Sequence, residues 1–122
     1  MDLNEITEKV IGSAYKVSNT LGSGFLEKIY ENALALEIQK TGLKVRQQYP
    51  IVVRYENAIV GEYIADMPVE NLVLVELKAS EELSPAHSAQ CLNYLKATGL
   101  KVCLLMNFGK AKVRIKRLVN HF

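Results

Sequence analysis

Glu76 and Lys78 close the run Leu72-Val73-Leu74-Val75-Glu76-Leu77-Lys78, an apolar stretch that ends in opposite charges. Such a run reads as a strand buried on both faces, and strand period two puts Leu74, Glu76 and Lys78 on one of them. A lone charge buried there is costly, so the two need each other, a third partner or water. Asp66 offers that third partner; the only other aspartate is Asp2. Asp is a poor strand former, yet Asp66 ends an apolar run expected to pair beside Glu76. Two carboxylates at adjacent strand ends give hard oxygen ligands for Mg²⁺, or Mn²⁺ in its place, a cation that keeps waters for chemistry. A lysine beside them can orient or deprotonate a water and steady charge on a phosphoryl group. Each residue also has an ordinary explanation: Glu76 and Lys78 as a structural pair, Asp66 as a turn residue ahead of Met67-Pro68.

The elements that must position these groups follow from periodicity. Leu3, Ile6, Val10, Ala14, Val17 and Leu21 step by three and four, which predicts a helix over 3–21. After Gly22-Ser23-Gly24 a second helix is expected from Phe25 to Thr41, closed by Gly42. Val45 to Tyr55 reads as a strand interrupted by Pro50, an edge or bulge signal. Glu56-Asn57 reads as a turn and Ile59 to Asp66 as the return strand. Pro68 cannot donate to a ladder, so that strand should end near Asp66. Leu72 to Lys78 is the third strand. Ser84-Pro85 starts a helix that runs to Thr98 and stops at Gly99. Val102 to Phe108 and Lys112 to Val119 complete the order α-α-β-β-β-α-β-β. A hairpin ahead of a helical crossover implies an α/β fold with a mixed sheet flanked by helices.

The 122 residues fit one domain, 1–122, without linker or repeat. With 49 % hydrophobic and 23 % charged residues the composition is globular, which excludes disorder and collagen-like repeats. A net charge of +2, from 15 Lys and Arg against 13 Asp and Glu, announces no whole-molecule attraction to nucleic acid but allows a local basic surface. Cys91 and Cys103 read as a reduced, buried pair, which argues against a disulfide scaffold. No apolar run reaches the length of a membrane helix, and the acidic, amphipathic start is not that of a signal peptide. A cytoplasmic protein with no membrane partner is therefore expected.

Taken together, Asp66, then Glu76-Leu77-Lys78 on the next strand, then a helix and a strand, resemble the PD-(D/E)xK nuclease superfamily. Within it, Gly24-Phe25-Leu26-Glu27-Lys28-Ile29-Tyr30 looks like the signature of the GxxExxY family. The similarity continues through Gly61-Glu62-Tyr63, Val75 to Ala79, Gln90 to Leu95 and Leu104 to Gly109. The resemblance implies a restriction-endonuclease-like fold in which Asp66 and Glu76 are metal-binding acids, with the carbonyl of Leu77 as a further ligand. It also implies that Lys78 is the catalytic lysine and that Glu27, on the second helix, completes the metal site. Gln90 and Tyr94 resemble a Q-x-x-x-Y element of the exonuclease-like branch, and Tyr30 closes the family signature. The proline of the superfamily name is absent, since Ile64-Ala65 precede Asp66, but that position has no chemical duty.

Helical spacing agrees with this assignment, because Glu27 and Tyr30 share a face, as do Gln90 and Tyr94. Taken singly, Glu27 also fits a solvated first-turn acid favoured by the helix dipole, and Tyr94 a half-buried aromatic. Lys110, Lys112, Arg114 and Lys116 alternate with Ala111, Val113 and Ile115, with Arg117 adjoining. This reads either as a phosphate-tracking face or as a charged edge strand that resists pairing. His87 reads as a solvated residue at a helix start. The expectation is a Mg²⁺-dependent nuclease acting on DNA, with Lys78 and Gln90 at the attacking water and Tyr94, Tyr30, Lys112 and Arg114 at the substrate. A homodimer or a partner protein would supply what so small a domain lacks. The alternative is a non-catalytic nucleic-acid- or protein-binding module that keeps the nuclease fold.

Overall fold

The computed structural model describes residues 1–121. Its first helix, α1 (Leu3–Leu21), begins where the Asp2 carboxylate accepts the Glu5 N–H at 2.9 Å. It buries Ile6, Val10, Ala14 and Val17 along one stripe. The second helix, α2 (Glu27–Lys40), starts two residues later than periodicity predicts. The cause is local: Leu26 is extended, and the Phe25 N–H is already bonded to the Tyr30 hydroxyl at 3.2 Å.

Strands β1 (Tyr49–Tyr55) and β2 (Ala58–Ala65) form an antiparallel hairpin that stands as its own two-stranded sheet. Glu56 and Asn57 both take positive φ, 49° and 69°, the conformation a two-residue hairpin turn demands. The hairpin starts at Tyr49 rather than Val45, because Gln48 sits at φ 55° and Val45 makes only an isolated bridge to Val69.

A second, four-stranded sheet has the order β3 (Met67–Val69), β4 (Val73–Lys78), β5 (Val102–Asn107), β6 (Arg114–Val119). Helix α3 (Pro85–Thr98) carries the chain from β4 to its parallel neighbour β5, while β3 and β6 run antiparallel. The sheet is therefore mixed, as expected, and the element order holds with one addition. Beyond Asp66 the chain passes from the hairpin straight into the four-stranded sheet as β3, although this strand contains Pro68. Proline is tolerated because the Pro68 carbonyl accepts from Arg46 N–H at 3.1 Å, so its missing N–H lies on the side away from β4.

The four-stranded sheet separates two apolar layers. Val73, Val75, Leu77, Val102, Leu104 and Met106 pack with α1 and α2. Leu74, Cys103 and Leu105 pack on the opposite face with Cys91, Tyr94 and Leu95 of α3 and with Ile51 of the hairpin. Glu76 shares a face with Leu74, so the charged end of β4 opens on the α3 side.

Candidate active site

Asp66 stands where β2 passes into β3, in the position that would extend the Met67–Val75 ladder to Glu76. Side chains replace the ladder there. Asp66 N–H donates to Glu76 Oε1 at 2.8 Å, and Leu77 N–H donates to Asp66 Oδ2 at 2.9 Å. The two carboxylates are thus held side by side by reciprocal bonds, with Asp66 Oδ1 and Glu76 Oε2 outside them. A strand residue points its N–H and C=O to the same edge, so the Leu77 carbonyl faces the Asp66 side as well.

Burial and like charge dominate the electrostatics. Glu76 is only 3 % exposed. Desolvation, followed by the charge of Asp66, pushes its carboxyl up to about 9. Desolvation also raises Asp66; the Leu77 N–H opposes the rise, and the negative charge of Glu31 adds to it. Lys78, half-buried at the end of β4, is near enough to lower Asp66 by its positive charge. Tyr94 is pushed up to about 12 by burial and then by Glu76 and Asp66, so its phenol remains a hydrogen-bond donor at neutral pH. Cys91 and Cys103 are free thiols buried on the same face, and a hydrogen bond from the Cys103 thiol holds Cys91 below its ordinary value.

The structure therefore brings together Asp66, Glu76, Leu77, Lys78 and Tyr94. Gln90 is half-buried one turn ahead of Tyr94 on the same helix face. Glu27, by contrast, opens α2 as an exposed residue. The α2 acid that Asp66 feels is Glu31, one turn on and 5 % exposed. Its carboxylate receives Lys28 Nζ at 2.9 Å and the side-chain amides of Gln47 and Gln48 at 2.6 and 2.7 Å. Gln48 also donates its backbone N–H to Asp66 O at 2.8 Å, which ties α2 to the acid pair. Sequence carried a signal for Glu31: it heads the buried stripe Glu31, Leu34, Ala35, Ile38, where a solvated acid does not belong.

Tyr30 is fully buried. Its hydroxyl donates to Gly22 O at 2.6 Å and its ring stacks on Phe108 at 4.9 Å, so it clasps the turn between α1 and α2 from inside the core. Arg114 is exposed at the start of β6 and lines, with Lys110, Lys116 and Asn107, a groove of about 480 Å³. Lys112 is exposed in the loop ahead of β6, and Arg117 turns instead to Thr7 of α1. His87 accepts the Ser84 N–H at its Nδ1, 3.1 Å away, and so closes the start of α3.

Asn107 lies opposite Lys78 in the parallel ladder and is 1 % exposed. It accepts Ser80 N–H at 3.1 Å and Gly109 N–H at 2.9 Å and donates to Ser80 O at 3.0 Å. Gly109 is pressed so closely on this loop that a Cβ would lie 2.1 Å from Ser80 O. The clamp fixes the chain just beyond Lys78.

Among the described residues no three His, Cys, Asp or Glu side chains converge on one point as a metal cage. The donor set suits a cation that binds through few protein ligands: two hard carboxylates, both destabilised as anions by burial and Glu76 further by the charge of Asp66, beside a backbone carbonyl. Such a set fits a hard divalent cation that keeps waters in its shell.

The family profile described as PD-(D/E)XK nuclease superfamily matches residues 4–118. No curated protein sequence shows significant similarity to the chain. Among solved structures, the fold is similar to that of an alkaline exonuclease from Laribacter hongkongensis, with a TM-score of 0.56 and 18 % sequence identity. The similarity covers 76 % of this chain but only 55 % of that one.

Proposed function

The chain belongs to the PD-(D/E)XK nuclease superfamily, and on that footing we propose that it is a divalent-metal-dependent nuclease that hydrolyses phosphodiester bonds of DNA. The observation that carries this reading is the reciprocal bonding of Asp66 and Glu76 at a strand end beside Lys78. Asp66, Glu76 and the Leu77 carbonyl would hold Mg²⁺ or Mn²⁺, which supplies a water of lowered pKa and offsets phosphoryl charge. Burial destabilises both anions and the charge of Asp66 destabilises Glu76 further, so a cation bound between them relieves what protonation otherwise relieves.

Lys78 orients the attacking water and steadies charge on the scissile phosphate. The Tyr94 phenol, held in its protonated form, donates to a phosphate oxygen, and Gln90, one turn earlier, positions the same water from the α3 side. Glu31 takes the place expected for Glu27 as the α2 acid of the site, acting through charge on Asp66 while Lys28, Gln47 and Gln48 hold it. The groove of Lys110, Arg114 and Lys116 receives the phosphate backbone beyond the cut. The test is Mn²⁺-dependent cleavage of labelled DNA by wild type and Lys78→Ala. The variant should melt like wild type and lose about 10²–10⁴-fold in rate. Equal rates would remove Lys78 from the chemistry, and no cleavage by wild type would refute the proposal.

A further inference from the structure

Between the β1–β2 hairpin and α3 lies a second cleft, of about 450 Å³, which the catalytic roles above leave unused. Val52, Val53 and Ala97 give it an apolar wall, and Arg54, Tyr63, Asn93 and Lys96 complete the lining. A regular strand would send Val53 and Arg54 to opposite faces. Both nonetheless border the cleft, as does Val52, and the register shift beside them falls on β2, where Val60 is the extra residue. Tyr63 is 43 % exposed, although its ring packs at 5.3 Å, tilted by 54°, against Tyr94. Tyr94 is the aromatic that feels both Glu76 and Asp66. The cleft is therefore joined to the acid pair through a two-ring contact.

We infer that this cleft is a nucleotide-binding subsite that takes the unpaired base next to the scissile phosphate, so the substrate is single-stranded nucleic acid. This inference rests on the nuclease reading for its position relative to the cut. The chemistry is local. Tyr63 offers a half-exposed π-face on which a base stacks, a contact that duplex DNA cannot make without unpairing. Asn93 offers both a donor and an acceptor to a base edge. Arg54 and Lys96 place positive charge at the rim, where the backbone must pass. The volume lies within the range of small-ligand sites.

The experiment measures binding without divalent cations, so that no strand is cut, by fluorescence anisotropy. The probes are a labelled single-stranded oligonucleotide, an abasic strand of the same length and the blunt duplex. Wild type should bind the base-bearing strand roughly ten-fold tighter than the abasic one, as one stacked base allows, and tighter than the duplex. Tyr63→Leu, which keeps apolar bulk against Tyr94, should abolish the preference for bases, while Tyr63→Trp should retain it. Arg54→Ala should weaken both single strands alike. Equal binding of base-bearing and abasic strands by wild type, an unchanged preference in Tyr63→Leu, or tighter binding of the duplex would overturn the inference. Because no cleavage is involved, a protein that prefers bases but never cuts keeps the subsite and loses the nuclease reading. One that cuts without any preference does the reverse.

Discussion

Glu76 is the residue at which burial, charge and chemistry meet. Its carboxyl is pushed up to about 9, above the ordinary 4.5, so across that interval the folded chain holds a proton that the unfolded chain releases. The sign follows from linkage: this group favours the fold most below about 4.5, and the contribution is lost as pH rises through about 9. Asp66 is raised as well and adds in the same direction. Melts in EDTA should therefore show Tm falling as pH rises from about 6 to about 9. Glu76→Gln keeps an acceptor for Asp66 N–H; it should flatten that fall and raise the metal-free Tm by several degrees at the alkaline end. A pH-independent Tm in wild type would contradict the buried acid pair. Tyr30 makes the opposite case, a signature residue serving structure. Tyr30→Phe removes the bonds to Gly22 O and Phe25 N–H, should cost about 1–2 kcal/mol in thermal stability, and should leave Mn²⁺ affinity unchanged.

Among the elements, the end of β4 is held by its neighbours rather than by its own sequence. The Asn107–Ser80–Gly109 clamp has no space for a Cβ at 109, so Gly109→Ala must push the loop beyond Lys78 aside. The expected cost is about 1–3 kcal/mol, together with a lower cleavage rate at unchanged DNA affinity; an unaltered Tm would show that the loop yields freely. Helix α1 was legible from its three-and-four apolar spacing, and α3 because its ends carry local chemistry: Ser84-Pro85 opens it and Gly99 closes it in the left-handed region. Strand β3 was not legible, since Pro68 argues against a strand unless one knows that its carbonyl faces the 44–48 segment and its absent N–H is not needed. Asp66, Glu76 and Lys78 could be singled out from residue type and period, Tyr94 only from the family resemblance, and the structure places the four together. Glu31 was masked by Glu27, the acid inside the more conspicuous signature. The place of Glu31 at the head of the stripe Leu34, Ala35, Ile38 was the signal, and Glu27, one turn earlier, drew the assignment instead.

For the whole molecule, the acid pair, the groove of Lys110, Arg114 and Lys116, and the hairpin cleft all lie on the α3 side of the sheet. The α1–α2 side is given over to core. No helix among the described residues is long and apolar enough to cross a membrane. A net charge of +2 leaves nucleic-acid affinity to these local cations rather than to the overall field. Replacing both Lys110 and Arg114 by Ala should lower the slope of log affinity against log salt by about 1–2; an unchanged slope would place the backbone elsewhere. The most direct test of the account is isothermal titration of Mn²⁺ into wild type and Asp66→Ala under mildly alkaline conditions. Wild type should bind Mn²⁺ saturably with proton release, and the variant should not bind it. No binding to wild type, or equal binding to both proteins, would contradict it.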